Sequence, residues 1–192
     1  MTPSTADRPD MSVEDFEELA RRAPETVTLE FINGKLRVKP VPDGDHGAIF
    51  MLLLRQCMRH RPDLDLHPEQ GLLMDAYRKG RVRPDGTLAP IGHFAGQPEW
   101  ADSTGVLMLV EVTSYDSGTH RRDRVDKGRA YACGDIPVYL LVDRDDDTLT
   151  VFSEPKDGVY QRHPSYPFGA TVPLPAPVGI TLDTDRLKDF AH

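Results

Sequence analysis

Cysteine is scarce in this chain. Only Cys57 and Cys133 occur, and neither belongs to a CxxC or Cys/His cluster. That argues against a structural zinc site. Two lone thiols also fit a reducing compartment better than a disulfide framework. Long apolar runs are missing as well, and none approaches the roughly 20 residues of a membrane-spanning helix. The stretch from Met1 to Asp10 is polar and lacks the apolar centre of a signal peptide. The expectation is a cytoplasmic protein without membrane contact. Basic residues are outnumbered, 23 Lys and Arg against 31 Asp and Glu, for a net charge of −8. A protein that grips nucleic acid mainly through a basic surface is disfavoured. A nuclease is not, because acidic metal ligands add to the negative charge and bound metal offsets it. P-loop, GxGxxG, HExxH and GxSxG motifs are all absent.

What is present reads as one domain. The 192 residues are 39% hydrophobic and 28% charged, ordinary values for a globular α/β protein. Residues 1–10 read as a disordered tail and 11–192 as a single domain. Ser12-Val13-Glu14-Asp15 resembles a capping box with Asp in place of Glu, opening a first helix with Phe16, Leu19 and Ala20 as its apolar stripe. Val27, Leu29 and Phe31 alternate with polar residues up to Asn33-Gly34, a type I′ hairpin signal, and Leu36 and Val38 lie on the return strand. A helix is expected from about Asp45 to His60, with Ile49, Leu52, Leu53, Cys57 and Met58 inward. Strands are expected near Leu64–Met74 and Arg81–Arg83, then a long polar loop from Gly86 to Gly105. Strands at 106–112 and 136–142, with a helix from His120 to Cys133 between them, make a parallel βαβ unit. Two or three shorter antiparallel strands and a final helix from Thr184 follow.

Glu111 is the most informative residue. It interrupts the strand Val106-Leu107-Met108-Leu109-Val110-Glu111-Val112, and an ionised carboxylate there costs several kcal/mol unless paired or metal-bound. The plainer alternative is a carboxylate near the strand end that reaches solvent or an Arg. Lys127 shares a helix face with Asp123 and Tyr131, four residues to either side. Alone it reads as half of a surface pair. Asp85 lies in Arg83-Pro84-Asp85-Gly86, where a turn competes with a site. By pattern alone, Glu30 sits on a solvated strand face and His46 is a capping or surface histidine. Arg121, Arg122 and Arg124 form a small basic cluster, and Asp143 to Asp147 an acidic run without the glycine and distal Glu of an EF-hand. Two carboxylates converging from neighbouring strands suit Mg²⁺, which polarises a phosphoryl oxygen and activates water. A nearby lysine then orients that water or stabilises the charge on phosphorus.

Asp85, Glu111 on an apolar strand and a following lysine together resemble the PD-(D/E)XK nuclease superfamily. The chain more closely resembles its Uma2 family of restriction-endonuclease-like proteins. The matching residues run from Glu30-Phe31-Ile32-Asn33-Gly34 through His46, Arg83-Pro84-Asp85 and Val110-Glu111-Val112-Thr113-Ser114. They continue with Arg122-Asp123, Lys127, Tyr131 and Gly134 to Leu141-Val142-Asp143.

The resemblance implies a mixed central sheet flanked by helices, with extra antiparallel strands at the C-terminus. It implies Asp85 and Glu111 as ligands of Mg²⁺ or Mn²⁺. The lysine is carried by the helix as Lys127, since Thr113 stands two positions after the Glu. Glu30 and His46 become expected site members, His46 as a general base or a phosphate contact. In one departure, Gly86-Thr87 and a loop stand where the family continues with an apolar strand, which is expected to shift Asp85 or loosen the site. The resulting expectation is a Mg²⁺-dependent endonuclease of DNA, working as a monomer or a homodimer. Alternatives are an inactive binding module of the same fold and a hydrolase of RNA or a small phosphodiester.

Overall fold

The computed structural model describes residues 11–113 and 119–191, with side chains omitted over 119–123. The capping motif works as its sequence suggests. Ser12 Oγ accepts the Asp15 N–H at 3.0 Å and donates to the Asp15 carboxylate at 2.7 Å, starting α1 (Val13–Arg22). Strands β1 (Thr28–Ile32) and β2 (Lys35–Lys39) form the expected hairpin, with Ile32 opposite Lys35. Asn33 and Gly34 both take positive φ, 55° and 73°, as a type I′ turn requires. Helix α2 (Gly44–His60) is capped by Asp43, whose carboxylate accepts the His46 N–H. It buries Ile49, Leu53 and Cys57, while Met58, expected inward, is exposed.

The span Leu64–Met74 divides into two strands that belong to different sheets. Strand β3 (Leu64–Pro68) ends before Glu69, whose φ of 48° turns the chain, and β4 (Leu72–Met74) departs the other way. Strands β4 and β5 (Gly80–Val82) join the hairpin in a four-stranded antiparallel sheet, ordered β2-β1-β5-β4. The chain then crosses to the main sheet through Arg83-Pro84-Asp85.

Beyond that crossing the sequence-based expectation fails. Gly86–Pro90 is not the start of a loop but strand β6, buried from Gly86 to Ala89 and paired with β3 on one side and β7 (Met108–Val112) on the other. Glycine and proline argue against a strand locally, but the tertiary setting is tight around Gly86. A Cβ on Gly86 would stand 3.0 Å from Leu66, 3.2 Å from Phe50 and 3.3 Å from Val110. The departure from the apolar pattern therefore tightens the packing beside Asp85.

Strand β7 runs parallel to β8 (Val138–Asp143), joined by α3 (Thr119–Cys133) as the βαβ reading requires. The main sheet is ordered β10-β9-β8-β7-β6-β3, with β9 (Thr148–Lys156) and β10 (Val159–Arg162) antiparallel. The C-terminal part is richer in strands than expected. Strand β11 (Ser165–Pro167) also pairs with β9, and β12 (Thr171–Leu174) pairs with β13 (Ile180–Asp183). The final helix is a 3-10 turn, Asp185–Phe190.

Strand alternation sorts the core. Met108, Val110 and Val112 pack with α2 and the C-terminal strands on one face. Leu109 packs on the other with Tyr131 of α3 and Met74 and Val82 of the small sheet, so Glu111 points to that second face. Among the described residues no helix is long and apolar enough to cross a membrane.

Replacing Gly86 by Val should destabilise the protein by about 1–3 kcal/mol through overpacking. Urea denaturation measures it, and an unchanged midpoint would contradict the packing described.

Candidate active site

Register brings the two principal carboxylates together. Gly86 lies opposite Val110 in the β6–β7 ladder, and continuing it by one residue sets Asp85 opposite Glu111. Asp85 then replaces a backbone partner at the end of that ladder, its Oδ2 accepting the Val112 N–H at 2.7 Å. His46, in the first turn of α2, brings Nε2 to 3.1 Å from the same oxygen. Lys39, the last residue of β2, places its ammonium 2.7 Å from Asp85 Oδ1.

Glu111 accepts from Lys127 Nζ at 2.9 Å and from the Tyr131 hydroxyl at 2.5 Å, both on Oε1. Lys127 also lies 3.0 Å from Glu30 Oε2. Glu30 is not on a solvated strand face: it is 2% exposed, and its Oε1 accepts the Arg83 N–H at 2.8 Å. It thereby holds the main chain two residues before Asp85. The lysine-bearing turn of α3 is fixed by the hairpin, since Asn33 donates to Asp126 at 3.4 Å and Arg37 to the same carboxylate at 3.5 Å.

All five residues singled out in the sequence, Glu30, His46, Asp85, Glu111 and Lys127, line one cleft with about 90 Å³ of free space. That is room for several waters.

Two further residues, Lys39 and Arg144, were not singled out in the sequence, and Tyr131 was placed only as a neighbour of Lys127. The Lys39 side chain is 8% exposed. Tyr131, on the Lys127 face by its spacing, donates its hydroxyl to Glu111. Arg144 is 1% exposed and directs its guanidinium to both Asp43 oxygens at 3.1 Å, bracing the cap of the helix that carries His46. Arg124 pairs with Asp143 and Asp145, which explains part of the acidic run. The side chains of Arg121, Arg122 and Asp123 lie outside the described residues.

The electrostatics follow from burial opposed by countercharge. Burial pushes the Glu111 carboxyl above its ordinary value, only partly offset by Lys127, and the charges of Asp85 and Glu30 add to the rise. Burial acts on Asp85 in the same direction, but Lys39 and His46 outweigh it and hold the acid well below the usual carboxylate range. Lys127 is desolvated too, yet Glu111, Glu30 and Asp85 together hold it above an ordinary lysine. It is therefore a permanent cation near neutrality, a proton donor in hydrogen bonds and not a base.

The chain has known counterparts in family and in fold. Residues 13–185 match the model of the Uma2 family, described as "Putative restriction endonuclease". The chain belongs to the Uma2 family. Among solved structures, the Uma2 chain is similar to "a putative nuclease belonging to DUF820" from Anabaena variabilis. The two are 18% identical with a TM-score of 0.67, over 94% of this chain and 98% of that one. At that identity the likeness is one of fold. It agrees with the mixed α/β, restriction-endonuclease-like architecture described above. No curated protein matches the chain.

Replacing Lys127 by Met leaves the buried carboxylates of Glu30 and Glu111 without their shared cation. The expected cost is about 3–5 kcal/mol at pH 8. Without its main countercharge the Glu111 pKa rises further above its unfolded value. A raised carboxyl weakens the fold fully above its folded pKa and not at all below its unfolded one. The penalty should therefore shrink as pH falls from 8 toward 5, while wild-type Lys127 stays charged throughout. Urea denaturation across that range checks the trend, and a pH-independent penalty would contradict it.

Proposed function

We propose that this Uma2 protein is a Mg²⁺- or Mn²⁺-dependent endonuclease that hydrolyses DNA phosphodiester bonds. The observation that carries the reading is the placement of Asp85, one residue before β6, beside Glu111 of β7, with Lys127 hydrogen-bonded to Glu111.

The residues fit a divalent ion. Asp85 Oδ1 is buried and receives no hydrogen bond. The three carboxylates of Glu30, Asp85 and Glu111 outnumber the two ammonium groups of Lys39 and Lys127. Among the described residues no three acidic or imidazole side chains are grouped to cage a metal by themselves. A pair of carboxylates leaving the other positions to water is the coordination Mg²⁺ favours. Asp85 and Glu111 would hold the ion, which supplies Lewis-acid polarisation of a phosphoryl oxygen and a water of lowered pKa.

The remaining groups prepare that chemistry. Lys127, held protonated with Glu111 and Glu30 on two sides, would turn its remaining N–H toward the attacking water or the charge that grows on the phosphoryl oxygens. Glu30 and Tyr131 fix the lysine and Glu111 so that neither reorganises during reaction. His46 keeps Asp85 Oδ2 turned to Val112, leaving Oδ1 toward the cleft. Cutting both strands of a duplex needs two such sites, which a homodimer would bring.

A second reading, a non-catalytic binding module, is favoured by the direct contacts of Lys127 and Lys39 with the acids, which already answer their charge within the protein.

Calorimetric titration of Mn²⁺ with plasmid nicking in parallel separates the two. The nuclease reading expects metal binding and nicking, both abolished in Glu111→Ala and Asp85→Asn. It expects about a hundredfold or greater loss of rate in Lys127→Met where that variant folds. The absence of both metal binding and nicking would favour the binding module.

A further inference from the structure

Asp85 treats its two oxygens differently. Oδ2 is committed, accepting the Val112 N–H at 2.7 Å with His46 Nε2 at 3.1 Å. Oδ1 is the oxygen left for a cation, and the Lys39 ammonium already stands 2.7 Å from it. The contact lacks the geometry of a hydrogen bond, since Oδ1 is without a donor. Lys39 instead donates to the Arg83 carbonyl at 2.7 Å. What joins it to Asp85 is charge.

We propose that Lys39 is a built-in competitor for the metal at Asp85, an inference that rests on the metal-dependent reading above. A Mg²⁺ ion sits about 2.1 Å from a carboxylate oxygen. On Oδ1 it would fall within the space that the ammonium fills, and two cations so close in a poorly solvated cleft repel strongly. The lysine must yield before the ion seats.

The structure supplies a place for it to go. Glu69 Oε1 lies 3.7 Å from the same ammonium, and its side chain is 49% exposed. The flexible four-carbon stem of lysine allows that short swing while the strand stays in place. In the metal-free protein Lys39 stabilises the Asp85 charge. In the metal-bound protein it moves onto Glu69. The affinity for metal is set by the difference between these two seats.

Calorimetric titration of Mn²⁺ into the full-length wild type, Lys39→Met, Glu69→Gln and Glu111→Ala tests this without reference to cleavage. Lys39→Met, which keeps the volume and removes the charge, should bind Mn²⁺ about tenfold or more tightly than wild type. Binding by this variant where the wild type shows none would support the proposal equally. Glu69→Gln, at a half-exposed position that does not endanger folding, should bind about threefold or more weakly, because the displaced lysine loses its second seat. Glu111→Ala should not bind. Wild-type binding with an equal or weaker affinity in Lys39→Met overturns the competitor and leaves the metal reading intact. Should Lys39→Met not fold, an unchanged affinity in Glu69→Gln overturns the proposed displacement. No binding by wild type or Lys39→Met defeats the metal reading, and the competitor with it.

Discussion

Three carboxylates cannot be buried in one cleft unless cations share it, and much of this architecture serves that requirement. Glu30, Asp85 and Glu111 are each less than 10% exposed. Ionised and unpaired, each would cost several kcal/mol. Lys127 answers Glu30 and Glu111, and Lys39 answers Asp85. Each pair joins different parts of the chain, so meeting the electrostatic demand also fastens the small sheet, the main sheet and α3 to one another.

The cleft lies where it does because the chain changes sheets there. Strand β5 ends in the small sheet and β6 begins in the main one, and the three residues between them end in Asp85. A carboxylate at such a crossing has backbone groups within reach that no ladder satisfies, and the Val112 N–H is one of them. The glycine that follows lets β3, β7 and α2 close around the crossing. Specific position comes from close packing on one face of the sheet, and chemistry from polar groups on the other.

Much of this was legible in the sequence, for identifiable reasons. Glu111 announced itself because a charged residue in an apolar strand has few inexpensive explanations. The hairpin followed from Asn33-Gly34 and the parallel pair from strand–helix–strand spacing. Glu30 was hidden because its strand alternates as a half-solvated one does, whereas α1 packs against one side of the hairpin and α3 against the other. Lys39 and Arg144 were hidden because a basic side chain at a strand end ordinarily reaches water, and the acids that hold them inside come from distant positions. Gly86 was misread because local propensity opposes a strand that the neighbouring strands impose. Glu30 and His46 were singled out by resemblance because the order of the quoted motifs along the chain is characteristic, although each was ambiguous alone; both line the cleft.

The clasp between the hairpin turn and α3 has a bearing on how the protein is made. Asn33 and Asp126 are 93 positions apart. At a synthesis rate of roughly 5–20 residues per second, about 5–20 s separate the emergence of the turn from that of its partner. Through that interval the hairpin has no helix against its second face, and Glu30 has no lysine to meet. A carboxylate on an uncovered strand face disfavours edge-to-edge pairing with another chain, and Glu30 is such a carboxylate until α3 is made.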